Sequence, residues 1–158
     1  MTDLERQAEA LAARVQALED ELAISRLLIR YGFAVDTDDV DAMLALFDPE
    51  ARITIDGSWT LHGHDDARQI VEGPTHRSYL PYCAHNLGPF VIEVDGDTAV
   101  ATGYSRVYLR TDDGFKVERV SANWWRLERR PHGWTIVERD TAIVGAGDPT
   151  FDVLKRGL

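Results

Sequence analysis

Three residues have side chains that could together move a proton: Tyr31 and Asp36 in the stretch RYGFAVDTDD at positions 30–39, and His85 in YCAHN. An ionised carboxylate bonded to one imidazole nitrogen fixes the tautomer and leaves the other nitrogen as a positioned base. A phenol close by can offer its O–H to a leaving group or to a developing oxyanion. Tyr31, Asp36 and His85 could therefore abstract a proton and expel a leaving group without a cofactor. The same residues also have a plainer reading. In it Asp36 caps a helix, Tyr31 fills core and His85 is a satisfied surface histidine. Spacing alone does not choose between the two.

Other chemistries find less support. His62, His64, Asp65 and Asp66 cluster in HGHDD, but this stretch reads as a turn into a helix with Asp65 as its cap. No further ligand lies at a metal-site spacing, so no metal is predicted. There is no GxxxxGK[ST] and no strand followed by GxGxxG. Cys83 precedes His85 by two residues, which on a strand sets them side by side rather than donor to acceptor. It reads as a small buried residue. As the single cysteine it can form no internal disulfide, which suits a reducing compartment. A net charge of −10 argues against a nucleic-acid partner, because phosphate binding needs a basic stripe. No apolar run approaches the ~20 residues needed to cross a bilayer, so no membrane association is expected. The acidic, amphipathic start MTDLERQAEA does not look like a secretory leader, and the expectation is a soluble cytoplasmic domain.

The elements that must position these side chains follow from periodicity. Leu4, Ala8, Leu11, Val15, Leu18 and Leu22 are spaced 4, 3, 4, 3, 4, a heptad seam in a helix-forming stretch free of Gly and Pro. At Ile24 the phase shifts, and Leu27, Leu28, Tyr31 and Ala34 continue on another face. Residues 1–23 thus read as an oligomerisation helix and 24–147 as the domain; the alternative is one amphipathic helix lying on its own domain. Asp38 or Asp39 caps a second helix, VDAMLALF, and GHDDARQIVEG reads as a third. ARITIDG and WTLHG form a short hairpin. From Tyr82 the period becomes two, giving four long strands in a meander. Residues 148–158 form a tail without clear periodicity. The fold class is α+β: a curved antiparallel sheet roofed by three helices, with an extended N-terminal helix.

The chain resembles the SnoaL-like branch of the nuclear transport factor 2-like superfamily over roughly residues 1–145. The likeness is carried by the leucine-heptad start, by RYGFAVDTDDVDAMLALFDPEARI, by the run from His85 into DGDTAVATG, and by the closing hairpin RRPHGWTIVERD. It implies a cone-shaped fold with an internal pocket and a homo-oligomer, with a trimer favoured. Within the superfamily the chain is similar to bile-acid 7α-dehydratase, whose catalytic Tyr, Asp and His fall on Tyr31, Asp36 and His85. It is also similar to lindane dehydrochlorinase, whose Asp and His fall on Asp36 and His85 and whose pocket arginine falls on Arg139. Scytalone dehydratase is a more distant relative with the same Asp–His logic. Where the bile-acid enzyme carries further pocket tyrosines, Ile55 and Phe115 stand here, and its late arginine falls near Ile143. The dehydrochlorinase's lysine is replaced by Tyr31. Strand parity would put Arg139 on one face with Ile143, and Phe115 on one face with Asn123 and Trp125, unless a bulge breaks the count. The resemblance implies a cofactor-independent lyase of dehydratase type, with Phe33, Phe90, Phe115 and Trp125 lining a pocket for an apolar cyclic substrate. An isomerase or cyclase using the same pair, and a non-catalytic binding or assembly subunit, are the alternatives. For Arg139 the plainer reading is a salt bridge to Glu138, to Asp140 or to a neighbouring strand.

Overall fold

Residues Met1–Leu158 are described by a computed structural model. Helix α1 (Asp3–Asp36) opens on a capping box, in which Thr2 accepts the Glu5 N–H and the Glu5 carboxylate accepts the Thr2 N–H. It runs unbroken through position 23, so the change of role expected there is a change of burial and not of secondary structure. Leu4, Leu11, Val15, Leu18 and Leu22 are 49–76% exposed, whereas Ile24, Leu27, Leu28, Tyr31 and Val35 are buried. The crossover is pinned by Asp20, which accepts both Nη atoms of Arg129 at 2.9 and 2.8 Å and the Trp134 indole N–H at 3.1 Å. Hydrogen bonding from Arg129 holds the Asp20 carboxyl below the usual carboxylate range.

Helix α2 (Val40–Leu44) is capped by Asp39, whose Oδ1 accepts the Ala42 N–H at 2.9 Å. The hairpin β1 (Phe47–Ile55) and β2 (Trp59–His62) leads into three short helices, α3 (Gly63–Ala67), α4 (Gln69–Glu72) and α5 (Pro74–Arg77). A single helix was expected here. The expected helix is instead divided at Arg68, between α3 and α4; it ends as expected at Gly73, extended before Pro74, and α5 is a further turn beyond that end. The start of α3 also differs from expectation: its N-cap is His62 and not Asp65, no side chain caps the helix, and Asp66 reaches back to accept the His62 N–H at 3.0 Å. His64 bonds the Phe47 carbonyl at 2.9 Å, which accounts for it structurally.

The long strands β3 (Cys83–Asp95), β4 (Thr98–Thr111), β5 (Gly114–Arg130) and β6 (Gly133–Ile143) form the expected meander. The six-stranded sheet has the order β2-β1-β6-β5-β4-β3, curved and unclosed. One junction departs from the antiparallel expectation, since β1 pairs parallel to β6, with Ile53 opposite Arg139 and Ile55 opposite Thr141. A parallel pair needs a long crossover and leaves no local turn signal to read. Register shifts bend the sheet in four strand pairs, including Leu87/Phe90 in β3 and Phe47/Arg52 in β1. Val107 faces Arg119 while Tyr108 faces Val117, leaving Glu118 extra in β5, and a further shift lies between Arg126 and Leu127. The concave face and the second half of α1 enclose a core of 20 buried residues, including Ile24, Leu28, Val35, Ile53 and Trp125. The convex face is partly covered by α6 (Asp148–Lys155), whose Val153 packs on Ala122 and Ala142. Two turns of helix are too short for a periodicity to register in sequence, and residues 148–158 had read as a tail.

Candidate active site

Position 32 decides how closely α1 approaches β3. A Cβ there would lie 2.8 Å from the His85 carbonyl oxygen and 2.8 Å from a Leu87 methyl, so only glycine permits the contact. One helical turn later Asp36 reaches the same strand. Its Oδ1 accepts His85 Nδ1–H at 2.6 Å and its Oδ2 accepts the His85 backbone N–H at 2.8 Å. The carboxylate thus fixes both the ring and the backbone that carries it. With Nδ1 committed as donor, the neutral ring keeps its lone pair on Nε2. Cys83 stands beside them, its thiol 3.5 Å from Asp36 Oδ1. Burial, with the Asp36 charge adding to it, pushes this thiol up to about 11.

His85 lines a cavity of about 660 Å³ whose apolar walls include Val35, Ile55, Ile70, Val107 and Ile143. That volume suits a drug-sized molecule. The rim is polar: Arg119 pairs with Asp56 at 2.5 Å and Tyr79 donates to Glu118 at 3.3 Å. Both Glu118 and Arg119 line the cavity, a consequence of the bulge that brings adjacent residues to one side.

Along β1, Ile53 lies two residues from Ile55, and its partner on β6 is Arg139, four residues before Ile143. Arg139 Nη1 donates to Tyr31 Oη at 2.8 Å and Nη2 to Asn123 Oδ1 at 2.8 Å. Its guanidinium carbon sits 4.4 Å from the centre of the Trp125 ring. The expected alternative partners are engaged elsewhere, Glu138 with Arg52 and Arg126, Asp140 with Arg156. Arg139 is therefore a buried cation whose hydrogen bonds all go to neutral groups.

The residues singled out from sequence thus fall into three places. His85, Ile55 and Ile143 line the cavity, and Asp36 stands behind His85, bonded to it. Tyr31, Asn123, Trp125 and Arg139 form a layer beneath its lining, with Trp125 fully buried instead of facing a ligand. Phe33 and Phe115 are elsewhere, 62% and 73% exposed. Phe33 lies in a shallow groove beside α2, and Phe115 stands at the tip of the β4–β5 hairpin, beyond the bulge that breaks strand parity. Phe90 packs against the core.

His76 gave no signal in sequence, being a lone histidine in PTHRS. It is buried, lines the cavity, donates Nε2–H to the Val35 carbonyl at 2.9 Å and has its ring centre 5.7 Å from that of His85. Desolvation lowers its pKa below the ordinary histidine value. With the folded value depressed, the unfolded chain binds more protons as pH falls below about 6.5, so the native state loses stability in that direction. Urea unfolding between about pH 7.5 and pH 5 should show a falling midpoint, and His76→Gln should flatten that slope. An unchanged slope in the variant would assign the pH dependence to other groups.

The chain's likenesses agree with this architecture. A structure from Novosphingobium aromaticivorans, described as an NTF2-like protein with a cystatin-like fold, matches at 36% identity and TM-score 0.85, covering 91% of this chain and 94% of that one. A second structure from the same organism, named as a candidate scytalone dehydratase, shares the fold at TM-score 0.66 and 16% identity, covering 81% of this chain and 86% of that one. An uncharacterized protein of Mycobacterium tuberculosis is 31% identical over 138 residues, 79% of this chain and 86% of that protein. The model of the SnoaL-like domain matches residues 16–140, from the middle of α1 to the Asp140 neighbour of Arg139, and the chain belongs to that family.

Proposed function

We propose that this protein is a cofactor-independent lyase that eliminates water from an apolar cyclic small molecule. The observation that carries the reading is the 2.6 Å Asp36–His85 bond placed at the wall of a 660 Å³ apolar cavity. In this reading His85 Nε2 removes a proton from a carbon next to an activating group. Asp36 holds the ring in place and stabilises the imidazolium that forms. Tyr31 and Arg139, buried behind the cavity lining, would meet a substrate oxygen once the wall gives way to it. Arg139 already donates to Tyr31 Oη, so the phenol's own proton is free to go to a departing hydroxyl. Arg139, lacking a carboxylate, polarises a carbonyl or balances a developing oxyanion. The fold neighbour named as a candidate scytalone dehydratase fits this reading, although fold alone does not specify an activity.

The test is incubation with a panel of cyclic hydroxy-ketones and alcohols in deuterated buffer, followed by mass spectrometry. Loss of water from one compound supports the lyase. Deuterium uptake without loss of mass identifies an isomerase or cyclase using the same pair. Binding with neither change would leave a non-catalytic carrier.

The reading extends to assembly. No helix is long and apolar enough to cross a membrane, and the exposed leucines of α1 recur at heptad spacing. We infer that these helices associate between copies of the chain, with a trimer favoured. Light scattering should report a multiple of 17.7 kDa, and Leu11→Glu with Leu18→Glu should shift the mass towards the monomer. A wild-type monomer would rule this out.

A further inference from the structure

The acid–base pair includes a third ligand-bearing side chain that proton abstraction does not require. Asp36, Cys83 and His85 each present one donor atom, and these atoms lie within 4.8 Å of one another. All three side chains are partly exposed, and the His85 ring faces the cavity. They come from two elements held rigidly together at Gly32, with Cys83 and His85 on one face of β3 and Asp36 at the end of α1.

From this geometry we propose that Asp36, Cys83 and His85 form a three-ligand site for a thiophilic divalent cation of the zinc class, and that its occupation switches off the base. The donor set is mixed sulfur, nitrogen and oxygen, which zinc accepts, and His85 is the one of the three that also lines the cavity. With zinc–ligand bonds of about 2.0–2.3 Å, tetrahedral donors stand roughly 3.3–3.6 Å apart. The Cys83 Sγ to Asp36 Oδ1 distance is already 3.5 Å, while Nδ1 and Oδ1 must separate from 2.6 Å. A small rotation of the His85 ring provides that.

The protons balance as follows. The thiol releases one proton to solvent as the thiolate binds. The proton on His85 Nδ1 leaves that nitrogen to the metal and is carried on Nε2 instead. Nε2 then becomes a donor and has no lone pair for a substrate proton.

The experiment is titration of the metal-free full chain with Zn²⁺ and, separately, Cd²⁺. Calorimetry in buffers of different ionisation enthalpy counts the protons released, and ultraviolet absorption reads thiolate-to-cadmium charge transfer. The expected result is one cation per chain, one proton released, a thiolate band, and affinity rising about tenfold per pH unit below the thiol pKa. Cys83→Ser and Cys83→Ala should each abolish the band and weaken binding at least tenfold, while His62→Ala leaves both unchanged. Circular dichroism of the two Cys83 variants separates loss of the site from loss of the fold. A missing charge-transfer band, or equal affinity in folded Cys83→Ser, would assign the cation to surface carboxylates and overturn the proposal. Because the readout is binding alone, the cation site stands or falls independently of the lyase reading, on which only the switching of the base rests.

Discussion

Turnover by a His85→Gln variant is expected to fall by on the order of 10²–10⁴-fold, the span associated with losing a positioned general base. Glutamine keeps a polar side chain of similar reach, and its amide can still donate to Asp36. The strand and the grip of Asp36 on the His85 backbone N–H should therefore survive. What disappears is the lone pair on Nε2. The check is kcat on whichever cyclic alcohol the panel identifies, beside a thermal melt. A melt close to wild type with kcat reduced at least a hundredfold is the expected pattern. A kcat within about threefold of wild type would remove His85 from the chemistry, since a general base contributes far more than that.

Asp36→Asn should be nearly as damaging, by roughly 10³–10⁴-fold, for a different reason. The carboxylate accepts two bonds from His85, one at each oxygen. An amide has a single acceptor oxygen, so its NH₂ must face either the backbone N–H or the ring. If it faces the ring, the imidazole moves its proton to Nε2 and presents the wrong tautomer to the substrate. A comparable carboxylate-to-amide change in the serine-protease triad costs about 10⁴-fold by that route. The double variant is the sharper measurement. If Asp36 acts only through His85, then Asp36→Asn combined with His85→Gln costs no more than the worse single change. Losses that multiply would instead mean that Asp36 touches the substrate itself.

How much of this could be read in advance differs from residue to residue. The meander was legible because period-two patterning and the GD, DDG and PHG turns mark each strand end locally. The role of α1 was legible in part, since the apolar phase shift at Ile24 coincides with the onset of burial next to Asp20. The parallel β1–β6 junction was not, because its partners lie more than eighty residues apart in the chain and no turn joins them. The Glu118 bulge was equally silent. A single extra residue leaves composition unchanged yet moves Phe115 out of the set it seemed to share with Asn123 and Trp125.

The amino-acid sequence by itself determined an α+β chain of one family, its strands, its long first helix, and Tyr31, Asp36, His85 and Arg139 as the residues worth watching. Those conclusions rest on short-range periodicity and on motifs, which survive in one dimension. Tertiary structure alone decided which of them meet. It closed Asp36 on His85 through the Gly32 contact, added Cys83 and His76 beside them, and set Tyr31 and Arg139 one layer below the cavity wall. The physical reason is that a side chain's partners depend on helix–sheet distance, strand register and bulges. Each of these is fixed by packing across the whole core and by no neighbouring residue.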